Sequence, residues 1–187
     1  MRLFLAINPP LEVRSAIWNA TAAVRRAWPD VTWVAESRIH LTLKFLGEQP
    51  DGAVGPLADA IRVVGQSHAA PHVRVAGIGA FPNFRRPTVV WIGVDPDPRL
   101  ELLHHDVEVA CTALGYEIDG RPFRPHLTLG RIKARGNAEQ IRALGGAARK
   151  VRFSDDFVVD SIDVTQSALG PAGPTYTILV AAPLRVG

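Results

Sequence analysis

Apolar positions along the chain change period several times, and each change marks an element. Leu3 to Ile7 is an apolar run of strand length. Pro9-Pro10 then opens a helix, since a first helical turn has no use for the missing proline N–H, and Val13, Ile17, Ala20, Val24 and Ala27 follow at helical spacing. After Pro29-Asp30 the pattern predicts a strand ending in His40-Leu41-Thr42-Leu43. Helical spacing returns from Leu57 to Val64, and strand character from Val73 to Ile78. Thr88 to Val94 is again an apolar strand. Leu100, Leu103, Val107, Ala110 and Leu114 form a second long helical stripe, terminated by Gly115. It leads to a strand carrying His126-Leu127-Thr128-Leu129, a helical stretch from Ala138 to Leu144 and a strand-like run from Val159 to Val164.

These elements are written twice. The motif histidines are separated by 126 − 40 = 86 positions, and the same offset carries Leu3 onto Val89, Ile17 onto Leu103 and Arg38 onto Arg124. Two repeats of strand, helix, strand, helix, strand follow, at about 1–86 and 87–172. The expected fold is α+β: one domain over 1–187, with two pseudo-symmetric lobes whose antiparallel sheets line a central cleft and whose helices lie outside.

Composition narrows the picture modestly. With 187 residues, 47% of them hydrophobic and 21% charged, the chain can bury a proper core and reads as a soluble globular protein. A net charge of +3, mostly from arginine, is compatible with a polyanionic ligand without requiring one. The single Cys111 excludes an internal disulfide and falls on a helical apolar stripe, as a buried small hydrophobe would. The opening MRLFLAINPP is too short an apolar run for a signal peptide, and no stretch of about 18 apolar residues is present to span a membrane. A cytoplasmic monomer is the default expectation.

The chemistry concentrates in the repeated His-x-Thr-x motif. Strand side chains alternate, so histidine and threonine project together while the two leucines point to the core. Two such strands facing one cleft bring together His40, Thr42, His126 and Thr128, extended by Arg38 and Arg124 two positions before each histidine. Pro125 biases Arg124 towards an extended conformation. By the same alternation Lys44 falls on the side of His40. Phe45 and Arg131, at equivalent positions just beyond the motifs, fall on the core side unless the strands bulge or end there. Arg131 is the better candidate to reach a phosphate, and Phe45 could stack a base. Two imidazoles suit acid–base transfer at phosphorus, one accepting a proton and the other donating one, with hydroxyls and cations holding the non-bridging oxygens. That arrangement needs no metal and no cofactor.

The paired motifs, His40-Leu41-Thr42-Leu43-Lys44-Phe45-Leu46-Gly47 and Arg121-Pro122-Phe123-Arg124-Pro125-His126-Leu127-Thr128-Leu129-Gly130-Arg131, resemble those of the two-histidine phosphoesterase superfamily. Within it the chain resembles the LigT-like RNA 2′,3′-cyclic phosphodiesterases, formerly called 2′-5′ RNA ligases. Arg2-Leu3-Phe4-Leu5-Ala6 and the 81–87 stretch before Trp91 share the resemblance, which covers nearly the whole chain. It implies metal-independent hydrolysis of a terminal 2′,3′-cyclic phosphate to a 2′-phosphate. Its substrate would be RNA with such an end, or a cyclic nucleotide. The near-symmetric motifs leave acid and base unassigned. The resemblance implies His40 as proton donor and His126 as proton acceptor, with Thr42 and Thr128 holding phosphate oxygens; Arg124 and Arg131, placed by the strand pattern, complete the expected substrate-binding residues.

Other candidates fall away on spacing. His104 and His105 lie on the second helix, where Glu101 and Glu108 suggest a solvated face. His68 and His72 flank a proline-containing turn without a carboxylate at ligand spacing. Gly77-Ile78-Gly79 lacks the third glycine and the following helix of a dinucleotide fingerprint. Arg85 and Arg86 could contact RNA phosphates or simply be solvated. Three other readings stay open: the same chemistry on another substrate, including reversed ligation of RNA ends; a binding module that has lost catalysis; and metal-dependent hydrolysis.

Overall fold

A computed structural model describes residues 1–170 and 173–186, so the expected end of the second repeat near 172 lies outside the described residues. In chain order the described elements are β1 (Arg2–Ile7), α1 (Leu11–Ala20), α2 (Ala22–Ala27), β2 (Thr32–Trp33), β3 (Leu41–Glu48), α3 (Val54–Ser67) and β4 (His72–Phe81). They continue with β5 (Val89–Val94), α4 (Pro98–Ala113), β6 (His126–Arg131), α5 (Ala138–Lys150), β7 (Ser154–Val158), β8 (Ser161–Gly170) and β9 (Gly173–Pro183). Each predicted apolar run lies in or overlaps one of these elements.

Local chemistry sets several boundaries. The helix expected across 11–27 breaks at Thr21, whose hydroxyl donates to the Ile17 carbonyl at 2.8 Å, a back-bond that competes with the helical ladder. Val13, Ile17 and Val24 remain buried on the two pieces. Asp97 caps α4 by accepting from the amides of Arg99 and Leu100, and Pro98 occupies its first turn. Gly115 ends that helix at φ +89°, as its sequence position predicted. Several strand boundaries differ from expectation, most of all at the first motif. β3 begins at Leu41 instead of ending at Leu43, because a short 3-10 turn at Glu36–Arg38 delivers the chain to His40.

The strands form one antiparallel sheet in the order β7-β4-β5-β6-β3-β1-β8-β9, with β2 pairing to β6. The two expected sheets are therefore halves of a single sheet, joined where β3 meets β6 at one pair, Leu41 with Leu127. These residues are 127 − 41 = 86 apart, so the pseudo-two-fold axis passes between them.

The halves do not coincide with the two sequence repeats. β8, from the second repeat, pairs with β1 of the first, and β4, from the first, pairs with β5 of the second. The helices follow suit. α3 packs on α4, β8 and β9, whereas α2 packs on α5, α1 on β7 and α5 on β4. The outer strands also depart from the offset of 86. Phe4 pairs with Phe45 as Val89 pairs with Arg131, so Phe4 and not Leu3 is the counterpart of Val89, at an offset of 85. Leu5, Ile17, Leu41, Ile61, Ile92, Leu103, Leu127 and Ile162 are fully buried between sheet and helices.

Candidate active site

The site is built by two matching irregularities. Along β1 and β3 the register passes from Leu5–Lys44 to Ala6–Thr42, leaving Leu43 without a partner. Along β5 and β6 it passes from Val90–Gly130 to Trp91–Thr128, leaving Leu129 without one. Each is a bulge directly after the motif threonine, and an inserted residue shifts the alternation of faces beyond it. Phe45 and Arg131, placed on the core side by strict alternation, thus come round to the face of the histidines and threonines. Both are exposed and both line the cleft.

The same shift corrects the expectation for Lys44. It turns from His40 towards α4, where its ammonium is buried and donates to both carboxylate oxygens of Glu108, at 2.9 and 2.7 Å, and to the Glu117 carbonyl at 2.7 Å. Leu41, Leu43, Leu127 and Leu129 are buried as the alternation predicted.

Between the sheet halves lies a cleft of about 470 Å³, lined by Thr42, Thr128, His126, Arg124 and Arg131 among others. His40 is half-buried beside it, with Phe4 and Tyr176 packed around its ring at centroid distances of 5.1 and 5.3 Å. His126 is held similarly by Phe81 at 4.9 Å and Trp91 at 6.2 Å. In each histidine Nδ1 lies 2.7 Å from the carbonyl oxygen two residues earlier, that of Arg38 for His40 and of Arg124 for His126. A carbonyl oxygen only accepts, so Nδ1 is the protonated nitrogen in both rings and Nε2 is left free for chemistry.

Burial lowers the pKa of both imidazoles, partly offset by these carbonyl bonds. The positive charge of Arg131 lowers both further, and His126 adds to the effect on His40. Such coupling places the two histidines and Arg131 in one electrostatic neighbourhood. The lowered values favour the neutral form of both rings and make a proton on either one easier to give up.

The remaining sequence candidates divide. Arg124 lines the cleft as expected, but the Arg38 guanidinium donates to the Pro174 carbonyl at the start of β9. The solvated face expected for His104 is a packed one. Its ring stacks on Phe123 at 3.8 Å between centroids, and the neighbouring Glu108 is buried against Lys44. His105 is exposed. His68 and His72 pair with Asp106 and Asp156 at 2.7 and 2.8 Å. Cys111 is buried, and burial pushes its thiol up to about 11. Among the described residues no three His, Cys, Asp or Glu side chains are grouped to share a metal ion, and no helix is long and apolar enough to cross a membrane. Sequence reasoning missed the aromatic walls of Phe4, Phe81, Trp91, Phe123 and Tyr176. Phe4, Phe81, Trp91 and Phe123 lie in or beside the segments that carry the resemblance, but nothing in the sequence marked them as walls, and Tyr176 had no signal at all.

Comparison with known proteins places this geometry in a family. Residues 13–170 match the family model described as the 2′-5′ RNA ligase superfamily. A Geobacillus stearothermophilus protein named RNA 2′,3′-cyclic phosphodiesterase is 34% identical over 97% of this chain, which spans only 56% of that protein. A Thermus thermophilus protein of the same name is 33% identical over 99% of this chain and 91% of its own length. Among solved structures, that of a Thermus thermophilus protein superposes with a TM-score of 0.82 at 31% identity, covering 100% of this chain and 99% of that one. Escherichia coli LigT complexed with 3′-AMP superposes with a TM-score of 0.73 at 25% identity, covering 98% of this chain and 97% of that one.

Proposed function

Because the chain belongs to the 2′-5′ RNA ligase superfamily, we propose that it is an RNA 2′,3′-cyclic phosphodiesterase whose cleft opens a terminal cyclic phosphate to a 2′-phosphate. The observation that carries this reading is the symmetric pair of histidines, each fixed through Nδ1 with Nε2 free beside one cleft. In the proposed reaction His126 Nε2 takes a proton from water as the water oxygen bonds to phosphorus. The bond from phosphorus to the 3′ oxygen breaks, and that oxygen receives the proton carried by His40 Nε2. His126 ends protonated and His40 neutral, and exchange with bulk water resets both.

Thr42 and Thr128 donate to the non-bridging oxygens, and Arg124 and Arg131 balance their charge. A bound phosphate anion raises the pKa of both rings, opposing desolvation, and so favours the protonated donor. The roles of the histidines and threonines rest on matching the family's motifs to these positions, and those of the arginines on their place in the cleft. Cytoplasmic action as a monomer belongs to the same proposal.

The test is incubation of the protein, with EDTA present, on RNA bearing a 2′,3′-cyclic phosphate. A 2′-phosphate product is expected, with His40→Ala and His126→Ala each losing about 10²- to 10⁴-fold in kcat. A 3′-phosphate product would reverse the leaving oxygen, and an unchanged rate in both variants would remove the histidines from the mechanism.

A further inference from the structure

A second cavity of about 240 Å³ adjoins the cleft at the edge of the β4–β7 half, lined by Arg85, Arg86, Lys133 and Arg135 among others. The two cavities are contiguous in the fold. Val89 and Arg131 pair across β5 and β6 and line the cleft, and the next residues outward, Thr88 and Ile132, line the second cavity. The Ile132 amide donates to the Thr88 carbonyl at 2.9 Å, tying the 132–137 loop to the loop that carries Arg85 and Arg86.

Both loops are held in place. The Asn83 side chain accepts from the amides of Arg85 and Arg86 at 2.9 and 3.3 Å. A Cβ added to Gly136 would come within 2.0 Å of the Trp28 ring, so only glycine lets the loop lie this close. On this platform Arg85, Arg86, Lys133 and Arg135 are exposed, and their side chains make no ion pair or side-chain hydrogen bond among the described residues. Glu139 is the only acidic residue in the two segments 81–94 and 126–150 that frame the patch.

The pseudo-symmetry provides an internal control. At the matching end of the other half, Phe45 replaces Arg131, Gly47 replaces Lys133 and Gln49 replaces Arg135, at the offset of 86. There Glu48 faces the N-terminal ammonium at 3.7 Å, and Asp51 lies close by in sequence. One end of the cleft therefore continues into cations that have no ion partner among the described residues, while the other is apolar and charge-balanced.

We propose that the Arg85, Arg86, Lys133 and Arg135 surface holds phosphates of the RNA chain upstream of the cyclic end, so that the strand leaves the cleft over the β4–β7 half. This deepens, and rests on, the phosphodiesterase reading. Point cations that meet phosphates without reading bases give affinity that falls with salt and is indifferent to sequence. The preferred substrate is thus an oligonucleotide, not a cyclic mononucleotide.

The experiment compares kcat/KM on a cyclic mononucleotide and on an eight-nucleotide RNA with the same cyclic end, for the wild type and for Lys133→Ser/Arg135→Ser and Arg85→Ser/Arg86→Ser. All four side chains are exposed, so the substitutions spare the core. The oligonucleotide-to-mononucleotide ratio should fall by about an order of magnitude in each double variant. The slope of log affinity against log salt should shrink by about 0.7 per phosphate contact removed. A ratio and salt slope equal to the wild type would overturn the tract. Anisotropy of a labelled single-stranded RNA, read on the same proteins, separates this inference from the activity: if the wild type hydrolyses neither substrate the phosphodiesterase reading fails, while RNA binding weakened in the variants still upholds the tract and unchanged binding rejects it.

Discussion

The paired histidines are held in place by backbone carbonyls, and that choice has consequences for pH. Burial lowers both imidazoles in the folded chain from the ordinary 6.5 at which they titrate when unfolded. Between the two values the unfolded state binds more protons, so stability rises with pH across that window. The contribution is complete above about pH 6.5 and is lost as pH falls through the folded-state values. Urea midpoints from pH 4 to 8 should show this loss, and His40→Asn/His126→Asn should flatten the curve. Arg131 acts on the same rings. Its charge lowers both, so Arg131→Ala should move both histidine titrations upward by NMR while reducing kcat by roughly 10²- to 10³-fold if it holds the developing charge. At this scale the sequence was informative where a single period governs. The two motifs placed His40, Thr42, His126 and Thr128 correctly on one face, with their leucines in the core. They could not place Phe45, Lys44 or Arg131, since Leu43 and Leu129 look like ordinary strand leucines and nothing in them marks a residue that drops out of register.

Among elements, the pairing of β3 with α4 depends on a buried charge. Lys44 and Glu108 expose 3% and 11% of their side chains, so each needs the other. Glu108→Gln leaves a buried ammonium uncompensated and should cost about 3–5 kcal/mol in urea unfolding, whereas Lys44→Met/Glu108→Leu should recover most of that loss. Because the same ammonium bonds the Glu117 carbonyl and a Glu108 oxygen accepts from the Asp119 amide, the single variant should also loosen the segment leading to Arg121 and Arg124, visible as faster amide exchange there. Helical and strand periods were legible in the chain to within a few residues for most elements. The Lys44–Glu108 pair was not, since a glutamate on a helix and a lysine after a strand motif each have a sufficient solvated explanation until tertiary packing removes the water.

At the level of the molecule, the twofold pattern in the chain correctly announced a cleft with matched walls, but not which segments share a wall. The offset of 86 is visible in sequence because it lies along the chain, whereas the pairing of β1 with β8 is a contact between distant segments that periodicity does not encode. That pairing makes a prediction. Fragments 1–86 and 87–187 each lack the partner strands and helices that bury their apolar faces. Separately they should show weak far-UV circular dichroism, and mixing them should restore the signal in a concentration-dependent way. If either fragment folded alone with a cooperative melt, the interleaving would not be what stabilises the halves.

The single Leu41–Leu127 pairing at the centre carries a consequence for how such a chain could arise. A repeat of half this length has no partner of its own for its last strand, but two copies exchanging that strand about the same axis would satisfy each other and enclose a cleft with two identical motifs. In that symmetric dimer every change to one wall is imposed on the other. Joining the copies end to end releases the constraint, and the present chain uses the freedom: one wall ends in Phe45 beside a neutral rim and the other in Arg131 beside a basic one. A division of labour between two equal histidines becomes available only once the gene is long enough to spell them separately.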